Sequence, residues 1–239
     1  MPRHRSVILT YHSLDTTRST TSLAPELFRR QMEALSERRT PVVPLSSVAQ
    51  TSGSVALTFD DGYLNFFDVA LPLLVQHRFP ATVFVVTGYC GLHNGWESSQ
   101  RHPPRHELMG WPQLRELVRL GITLGAHTVN HPHLPRLSPE EIARELRDSR
   151  MTLENSIGQA VDSFAYPYGA WNAAARLAVS REFRLACGTE LGFVDSRSDP
   201  FLLPRIDVLY RPQPWWFRRL TGAVSQAYLA AQRWKKEMV

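Results

Sequence analysis

The residues best suited to chemistry lie in two short segments, and the first contains two adjacent carboxylates. Residues 57–63 read LTFDDGY, so Asp60 and Asp61 directly follow a predicted buried strand. Adjacent like charges at a strand end repel each other and resist removal from water, so folding alone gives little reason for the pair. A bound cation would remove the conflict, because one carboxylate could hold the ion while the other faces a water molecule. A plain Asp-Asp-Gly turn is the alternative interpretation.

The second segment contains two histidines four positions apart. Residues 127–132 read HTVNHP and follow another predicted strand, 122–126. At this spacing the imidazoles of His127 and His131 can face one point, on a helical turn or across a loop. The alternative interpretation is a loop that happens to contain histidines. The nearby His133, which has no assigned role, shows that histidines also occur here without one. One aspartate and two histidines are a common ligand set for a divalent ion, with open positions for water and substrate.

The elements that must position these residues alternate between strands and helices, which predicts parallel βα units. The predicted strands are 6–12, 42–43, 55–59, 81–87, 122–126, 163–166, 185–188 and 203–208. The predicted helices are 26–35, 66–75, 111–120, 139–157 and 173–182. Ser138, Pro139 and Glu141 predict a capping box at the fourth helix, and Gly158 predicts its end. About seven βα units favour a barrel, and both motifs then lie at the carboxyl ends of strands, where such folds place their sites.

Composition is that of an ordinary globular protein. The 239 residues are 43% hydrophobic and 21% charged, enough for one large α/β domain or two small ones. The net charge of +5 is spread along the chain without a nucleic-acid motif, so no nucleic-acid partner is expected. The apolar run 7–9 is too short for a signal-peptide core, and no stretch approaches a membrane span. A cytoplasmic location is therefore expected, unless a signal has been removed.

The two motifs resemble those of the polysaccharide deacetylases, also called carbohydrate esterase family 4 or the NodB homology domain. Residues 58–62 (TFDDG) match the first motif of that family, and residues 127–131 (HTVNH) match its second, His-Ser/Thr-x-x-His. The resemblance spans roughly residues 6–208. The fold that it implies is a distorted (β/α)7 barrel.

The resemblance also implies roles for individual residues. Asp61, His127 and His131 would hold a divalent metal, usually Zn²⁺, with Co²⁺ or Ni²⁺ as alternatives. Asp60 would be the general base that takes a proton from water on the metal. Thr128 would support the second motif by hydrogen bonds.

The third motif of the family, Arg-x-Pro-Tyr/Phe-Gly, is only partly matched. Residues 165–169 read AYPYG, so Ala165 stands where the arginine that pairs with the base is expected. We hypothesise that Arg205 supplies this charge from the last strand, and a surface arginine is the alternative. By resemblance, the backbone N–H of Tyr168 would stabilise the oxyanion.

The proton for the leaving group also lacks its usual source. The late Leu-x-x-His motif of the family is not recognisable, and no histidine follows His133. His12 ends the first predicted strand, on the face that carries the motifs, so it is the candidate general acid. The alternatives are that His12 is hydrogen-bonded at the barrel rim, and that metal-bound water carries the proton.

Aromatic side chains offer stacking surfaces for sugar rings. Trp96, Trp111 and Tyr168 are candidates, although packing is the favoured interpretation for Trp96. Trp111, Pro167 and Tyr168 are the residues expected to bind substrate.

We predict a catalytic domain over residues 1–212 and a C-terminal amphipathic helical extension over residues 213–239. Apolar residues of the extension recur at helical spacing among basic residues: Trp216, Leu220, Val224, Ala227, Ala231 and Trp234. Packing against the barrel is the favoured interpretation. Peripheral contact with an anionic membrane, which would suit a lipid-linked sugar, is the alternative.

The predicted function is a metal-dependent hydrolase that removes N-acetyl groups from an amino-sugar polymer, oligosaccharide or conjugate. Three alternatives stay open. They are a deformylase or deacetylase of a lipid-linked amino sugar, a metal-independent cyclic-amide hydrolase, and a non-catalytic carbohydrate-binding module on the same fold. The intact set of Asp60, Asp61, His127 and His131 favours the metal-dependent enzyme.

Overall fold

A computed structural model describes residues 5–96, 105–210, 213–218 and 220 of the chain. Its strands are β1 (Val7–Tyr11), β2 (Ser13–Leu14), β3 (Ser22–Leu23), β4 (Val55–Phe59), β5 (Ala81–Val85), β6 (Thr123–Ala126), β7 (Ser163–Ala165), β8 (Leu185–Cys187) and β9 (Ile206–Asp207). Its helices are α1 (Pro25–Glu37), α2 (Leu71–His77), α3 (Trp111–Arg119), α4 (Pro139–Ile157), α5 (Ala173–Glu182) and α6 (Pro214–Phe217). Seven strands form one parallel sheet in the order β8-β7-β6-β5-β4-β1-β9, as the alternation of strands and helices predicts.

The last strand segment joins the two ends of this sheet. Leu203 makes a parallel bridge to β8, and further along the chain Ile206 pairs with β1. The continuous strand predicted over 203–208 is wrong, because Pro204 has no N–H to donate and the N–H of Arg205 bonds to a loop carbonyl. The sheet therefore curls into a distorted barrel, with Arg205 at the break.

Side chains alternate between the interior of the barrel and the layer beneath the helices. Inward side chains from five strands belong to one buried cluster: Ile8, Ala56, Phe84, Ala165 and Cys187. Their neighbours on the other face pack against the helices. Gly125 makes room for the Phe84 ring, since a Cβ at residue 125 would lie 2.5 Å from it. Because the alternation continues past the strand ends, His12, Asp60 and His127 point into the mouth of the barrel.

Local signals set most of the helix boundaries. At the start of α4, the Ser138 hydroxyl accepts a bond from the N–H of Glu141 at 3.3 Å. The Glu141 carboxylate accepts one from the N–H of Ser138 at 2.8 Å, which confirms the predicted capping box. The helix ends at Gly158, whose φ of 70° is the left-handed conformation expected of a terminating glycine.

Two sequence-based boundaries need correction. The helix predicted over 66–75 begins with a π-helical turn, Phe66–Ala70, before α2. The strand predicted over 42–43 is wrong, because it is reduced to an isolated bridge between Val42 and β4. A proline on each side of this dipeptide lacks the N–H that a longer ladder needs.

The described part of the C-terminal extension packs against the barrel. In and just after α6, Trp216, Phe217 and Leu220 are buried in the core beside α1. The guanidinium of Arg218 lies 2.8 Å from the Glu37 carboxylate in an exposed ion pair. The remainder of the predicted amphipathic helix, and with it the membrane alternative, lies outside the described residues. Within the described ranges, no helix combines the length and the apolar character needed to cross a bilayer.

Candidate metal centre

The adjacent carboxylates that follow β4 meet different partners. Asp60 continues the inward face of the strand and is 4% exposed. Asp61 has a φ of 72° and Gly62 a φ of 77°, so the chain turns sharply at the strand end. This left-handed turn directs the carboxylate of Asp61, which is 7% exposed, towards the second motif.

Three side chains converge on one point. The Asp61 Oδ1 atom lies 3.5 Å from His127 Nε2 and 3.4 Å from His131 Nε2. The two imidazole Nε2 atoms lie 3.2 Å apart. Within the described part of the chain, this is the one group of three or more His, Cys, Asp or Glu side chains with such close ligand atoms.

The three ligand atoms fit a divalent ion. Zinc bonds of about 2.0–2.1 Å at tetrahedral angles place ligand atoms about 3.3–3.4 Å apart, close to the separations observed here. The Nδ1–H of His127 donates to the carbonyl of Ala165 at 2.7 Å, which leaves Nε2 with the lone pair that a metal needs.

The protonation of the other two ligands also suits a metal. Burial alone would raise the pKa of Asp61, but its close contacts with the His127 and His131 rings hold this pKa well below its ordinary value. The carboxylate is therefore ionised. Burial lowers the pKa of His131, which favours the neutral imidazole that binds metals.

The loop between the two histidines has an unusual backbone. Thr128 has a φ of 68° and His131 a φ of 55°, a region that residues with a Cβ rarely adopt. The Thr128 hydroxyl accepts a bond from the N–H of His131 at 2.9 Å and also contacts the carbonyl of His127. Thr128 thus braces the turn between the two ligands.

Arg205 binds both oxygens of Asp60. Its Nη1 and Nη2 atoms each lie 2.7 Å from a carboxylate oxygen, and both residues are buried. The guanidinium also donates to the carbonyl of Gly188 at 2.8 Å and to the Thr58 hydroxyl at 3.3 Å. Burial alone would raise the pKa of Asp60, but Arg205 reverses this and holds it below its ordinary value. The base candidate is therefore kept ionised and fixed in orientation.

His12 lies beside this ion pair at the mouth of the barrel. Its Nε2 atom is 3.9 Å from the Asp60 carboxylate, and its side chain is 21% exposed. Its Nδ1 atom is buried and has no hydrogen-bond partner among the described residues. The place suits a proton carrier, but the role of general acid stays a prediction.

The third-motif segment forms one rim of the site. Pro167 is buried, and Tyr168 has a φ of 58° and is 37% exposed. The Tyr168 ring stacks on His133 with centroids 4.0 Å apart and meets the edge of His131 at 4.5 Å. Gly169 is needed behind it, because a Cβ there would lie 1.9 Å from a threonine hydroxyl. The sequence analysis gave His133 no role, and its stacking on Tyr168 was not predicted; the signal that could have suggested it is its closeness to His131 in the chain.

The two tryptophans singled out from the sequence lie in different surroundings. The Trp96 ring, for which packing is the favoured interpretation, has its centroid 4.7 Å from that of His131, so it flanks one of the candidate metal ligands. Trp111 begins α3, and its half-buried ring packs on the outer core. Its contact with substrate stays a prediction.

Comparison with known proteins supports these observations. Residues 47–185 match the family model described as Polysaccharide deacetylase. The chain is 33% identical over 142 residues to a chitooligosaccharide deacetylase of Bradyrhizobium sp. (strain ANU 289), covering 55% of this chain and 56% of that protein. It is 27% identical over 164 residues to a poly-beta-1,6-N-acetyl-D-glucosamine N-deacetylase of Staphylococcus aureus, covering 64% and 53%. The chain thus spans about half the length of the curated relatives it matches.

Solved structures show the same architecture. A Streptococcus pyogenes deacetylase, PplD, in complex with acetate superposes with a TM-score of 0.78 at 24% identity. The match covers 89% of this chain and 96% of that one. At this level of identity the likeness concerns the fold, and it confirms the predicted distorted (β/α)7 barrel.

Proposed function

Since the chain belongs to the polysaccharide deacetylase family, we propose that it is a metal-dependent hydrolase that removes N-acetyl groups from an amino-sugar substrate. The observation that carries the proposal is the convergence of Asp61, His127 and His131 next to a second, separately paired carboxylate, Asp60. Two curated relatives are named for chitooligosaccharides and for poly-N-acetylglucosamine. We therefore propose an N-acetylglucosamine saccharide as the substrate class.

The metal would be held by Asp61, His127 and His131. We propose Zn²⁺, with Co²⁺ or Ni²⁺ as alternatives, because the spacing of the ligand atoms suits short bonds at tetrahedral angles. When bound, such an ion polarises the acetyl carbonyl and makes a water molecule acidic near neutral pH. Three protein ligands leave positions for water and substrate.

Asp60 would act as the general base. Its two oxygens offer about four acceptor positions, and Arg205 occupies two of them. The remaining positions can accept a proton from the attacking water. Because Arg205 lowers the pKa of Asp60, the carboxylate is ionised at neutral pH but is a weak base, so it takes the proton only as the new C–O bond forms. Arg205 is a positioning residue in this scheme.

The remaining steps need an oxyanion donor and an acid. The backbone N–H of Tyr168, in the left-handed turn at the rim, would donate to the oxyanion. His12 would deliver a proton to the departing amine as the C–N bond breaks. The water oxygen then leaves in acetate, and the sugar keeps a free amino group.

The proposal is tested by product release from a panel of saccharides. The full chain is purified without chelator and incubated with chitooligosaccharides, poly-N-acetylglucosamine and N-acetylglucosamine, and acetate and amine are measured. We expect equal amounts of both products, loss of activity on chelation, and recovery on adding Zn²⁺. Formate instead of acetate would indicate a deformylase. Turnover that survives complete zinc removal would indicate a metal-independent hydrolase, and saccharide binding by zinc-loaded protein without product would indicate a binding module.

A further inference from the structure

The loop that carries His131 is fastened to α4 by one carboxylate. The Oε2 atom of Glu145 accepts bonds from the N–H of Val129 at 2.8 Å and the N–H of Asn130 at 3.0 Å. Its Oε1 atom accepts from the side-chain amide of Asn130 at 2.6 Å. Glu145 therefore satisfies three donors on the two residues that lie between Thr128 and His131. Bonds to an ionised acceptor are stronger than neutral ones.

The opposite side of the same loop is held by backbone contacts. After β5, the N–H of Thr87 donates to the carbonyl of Thr128 at 3.1 Å, and the N–H of Gly88 donates to that of Val129 at 2.9 Å. A Cβ at residue 88 would lie 2.7 Å from the Val129 oxygen, so only glycine allows this approach. The loop is thus clamped between the β5 end, which binds its carbonyls, and Glu145, which binds its amides.

The two histidine ligands depend on this clamp to different degrees. His127 follows β6 directly, and its ring is fixed by the bond from Nδ1–H to Ala165 at 2.7 Å. The His131 Nδ1 atom is buried and has no hydrogen-bond partner in the described ranges. The His131 ring is therefore placed by its backbone and by packing, and that backbone is in the left-handed region, with a φ of 55°.

We propose that Glu145 is a positioning residue for the metal centre: its carboxylate holds the 129–130 backbone so that His131 Nε2 faces the ion. The proposal rests on the proposed function, because it takes the three converging side chains as a metal site. Groups that orient metal ligands in this way typically contribute a factor of about 10–100 in metal affinity. The hydrogen bonds of Glu145 go to residues 129 and 130, so its effect on His131 would pass through the loop backbone.

The same helix offers a matched control. Glu154 is also half-buried on α4, and its Oε1 atom accepts from the backbone N–H of Val161 at 3.1 Å. Val161 precedes β7 and lies outside the 127–131 loop. Replacing either glutamate by alanine removes a backbone-binding carboxylate from α4, but only Glu145→Ala releases the metal-binding loop.

The test compares the wild-type full chain with Glu145→Ala, Glu145→Gln and Glu154→Ala. Zn²⁺ affinity is measured by competition with a chromogenic chelator. Hydrogen exchange at residues 129–131 is measured on the metal-free proteins. We expect Glu145→Ala to weaken Zn²⁺ binding about 10- to 100-fold and to speed exchange in the loop. Glu145→Gln, which keeps one acceptor oxygen, should fall between it and wild type. Glu154→Ala should change the Zn²⁺ affinity less than about twofold, well short of the 10- to 100-fold effect expected when a group that orients a metal ligand is lost.

The outcomes separate this inference from the function on which it rests. If wild type binds Zn²⁺ and Glu145→Ala binds it no more weakly than Glu154→Ala does, Glu145 is not a positioning residue and the metal site stands. If wild type binds no Zn²⁺ but Glu145→Ala is the one variant with faster hydrogen exchange at residues 129–131, Glu145 does hold the loop, but the proposed metal site is wrong. If Glu145→Ala changes neither the Zn²⁺ affinity nor the hydrogen exchange of the loop, Glu145 neither holds the loop nor positions His131.

Discussion

The two sides of the barrel mouth hold their groups in opposite ways. The ionic side, formed by Thr58, Asp60 and Arg205, is at most 4% exposed and is joined by hydrogen bonds of 2.7–3.3 Å. The aromatic side is formed by Trp96, His131, His133 and Tyr168. Its rings meet at centroid distances of 4.0–4.7 Å, and Tyr168 is 37% exposed. Asp61, which we propose as a metal ligand, contacts His131 of the aromatic side and follows Asp60 of the ionic side in the chain.

This difference in burial and contact type indicates that the ionic side stabilises the fold and that the aromatic side determines substrate preference. A buried ion pair is costly to remove from water, and removing one partner leaves an uncompensated charge. The ionic side should therefore tolerate almost no change. Ring contacts at a partly exposed rim contribute only about 0.5–1.5 kcal/mol each. The aromatic side can therefore vary without unfolding the barrel, so we expect differences in substrate preference to arise there.

The largest expected effect comes from removing the base on the ionic side. Asp60→Asn should lower kcat by about 10²–10⁴-fold, because an amide cannot accept the proton from water. The zinc content should not change, since Asp60 is not one of the three converging ligands. Amine-release kinetics and metal analysis on the same preparation check this. A loss smaller than tenfold would remove Asp60 from the role of base.

The next effect concerns the stability of the same pair. Arg205→Met leaves Asp60 buried without its partner and should lower the free energy of unfolding by about 3–5 kcal/mol. The double variant Asp60→Asn/Arg205→Met should be more stable than the sum of the single changes predicts, because neither group then remains charged and unpaired. Urea unfolding of all four proteins measures this coupling. Strictly additive losses would show that the bidentate contact does not stabilise the fold.

The pH dependence of stability gives a smaller and sharper test of the ionic side. In folded wild type the pKa of Asp60 is lowered. The ionised carboxylate therefore adds to the free energy of unfolding above about pH 4, its ordinary pKa. This added stability is lost as the pH falls through the lower, folded-state pKa. In Arg205→Met the strongest influence that lowers this pKa is lost, so burial, opposed by the weaker effects of His127 and His12, should raise the pKa above the unfolded value. The free-energy cost of burying the unpaired, ionised Asp60 is then largest near neutral pH, and it disappears as the carboxylate becomes protonated at lower pH. The difference in unfolding free energy between metal-free wild type and metal-free Arg205→Met should therefore narrow from about pH 7 to pH 4, by about 1.4 kcal/mol for each unit by which the pKa of Asp60 in the folded variant exceeds about 4. A gap that stays constant would contradict this assignment.

The smallest effect is expected on the aromatic side. His133→Ala removes the ring stacked on Tyr168 and should raise KM about two- to tenfold, with little change in kcat or in the melting temperature. His77→Ala is the control, because His77 also stacks on an aromatic ring, that of Phe79 at 5.3 Å, but on α2. Equal KM values for the two variants would show that the stack does not shape the substrate site.

Much of this molecule could be predicted from its sequence, because the relevant signals are local. The bounds of β4, α4 and α5 agree with the residues predicted, since capping residues and hydrophobic periodicity act within a few positions. The two-residue period of a strand also points Asp60 and His127 towards the same interior. The expectation that parallel strands end at one edge brought the two motifs together, and the resemblance to the polysaccharide deacetylase motifs implied Asp61, His127 and His131 as the ligands.

Other features required the folded chain, because they depend on long-range packing and on backbone conformations that sequence patterns do not encode. The pairing of Arg205 with Asp60, 145 residues away, was only a hypothesis from the sequence, because the contact depends on how the last strand segment closes the barrel. The left-handed turns at Asp61, Thr128 and Tyr168 set the directions of side chains that no periodicity describes. The sequence thus determined which groups are present at the barrel mouth, and the tertiary structure decided which of them touch. Ligand identity follows from local residue types, whereas contact depends on how distant segments close the barrel.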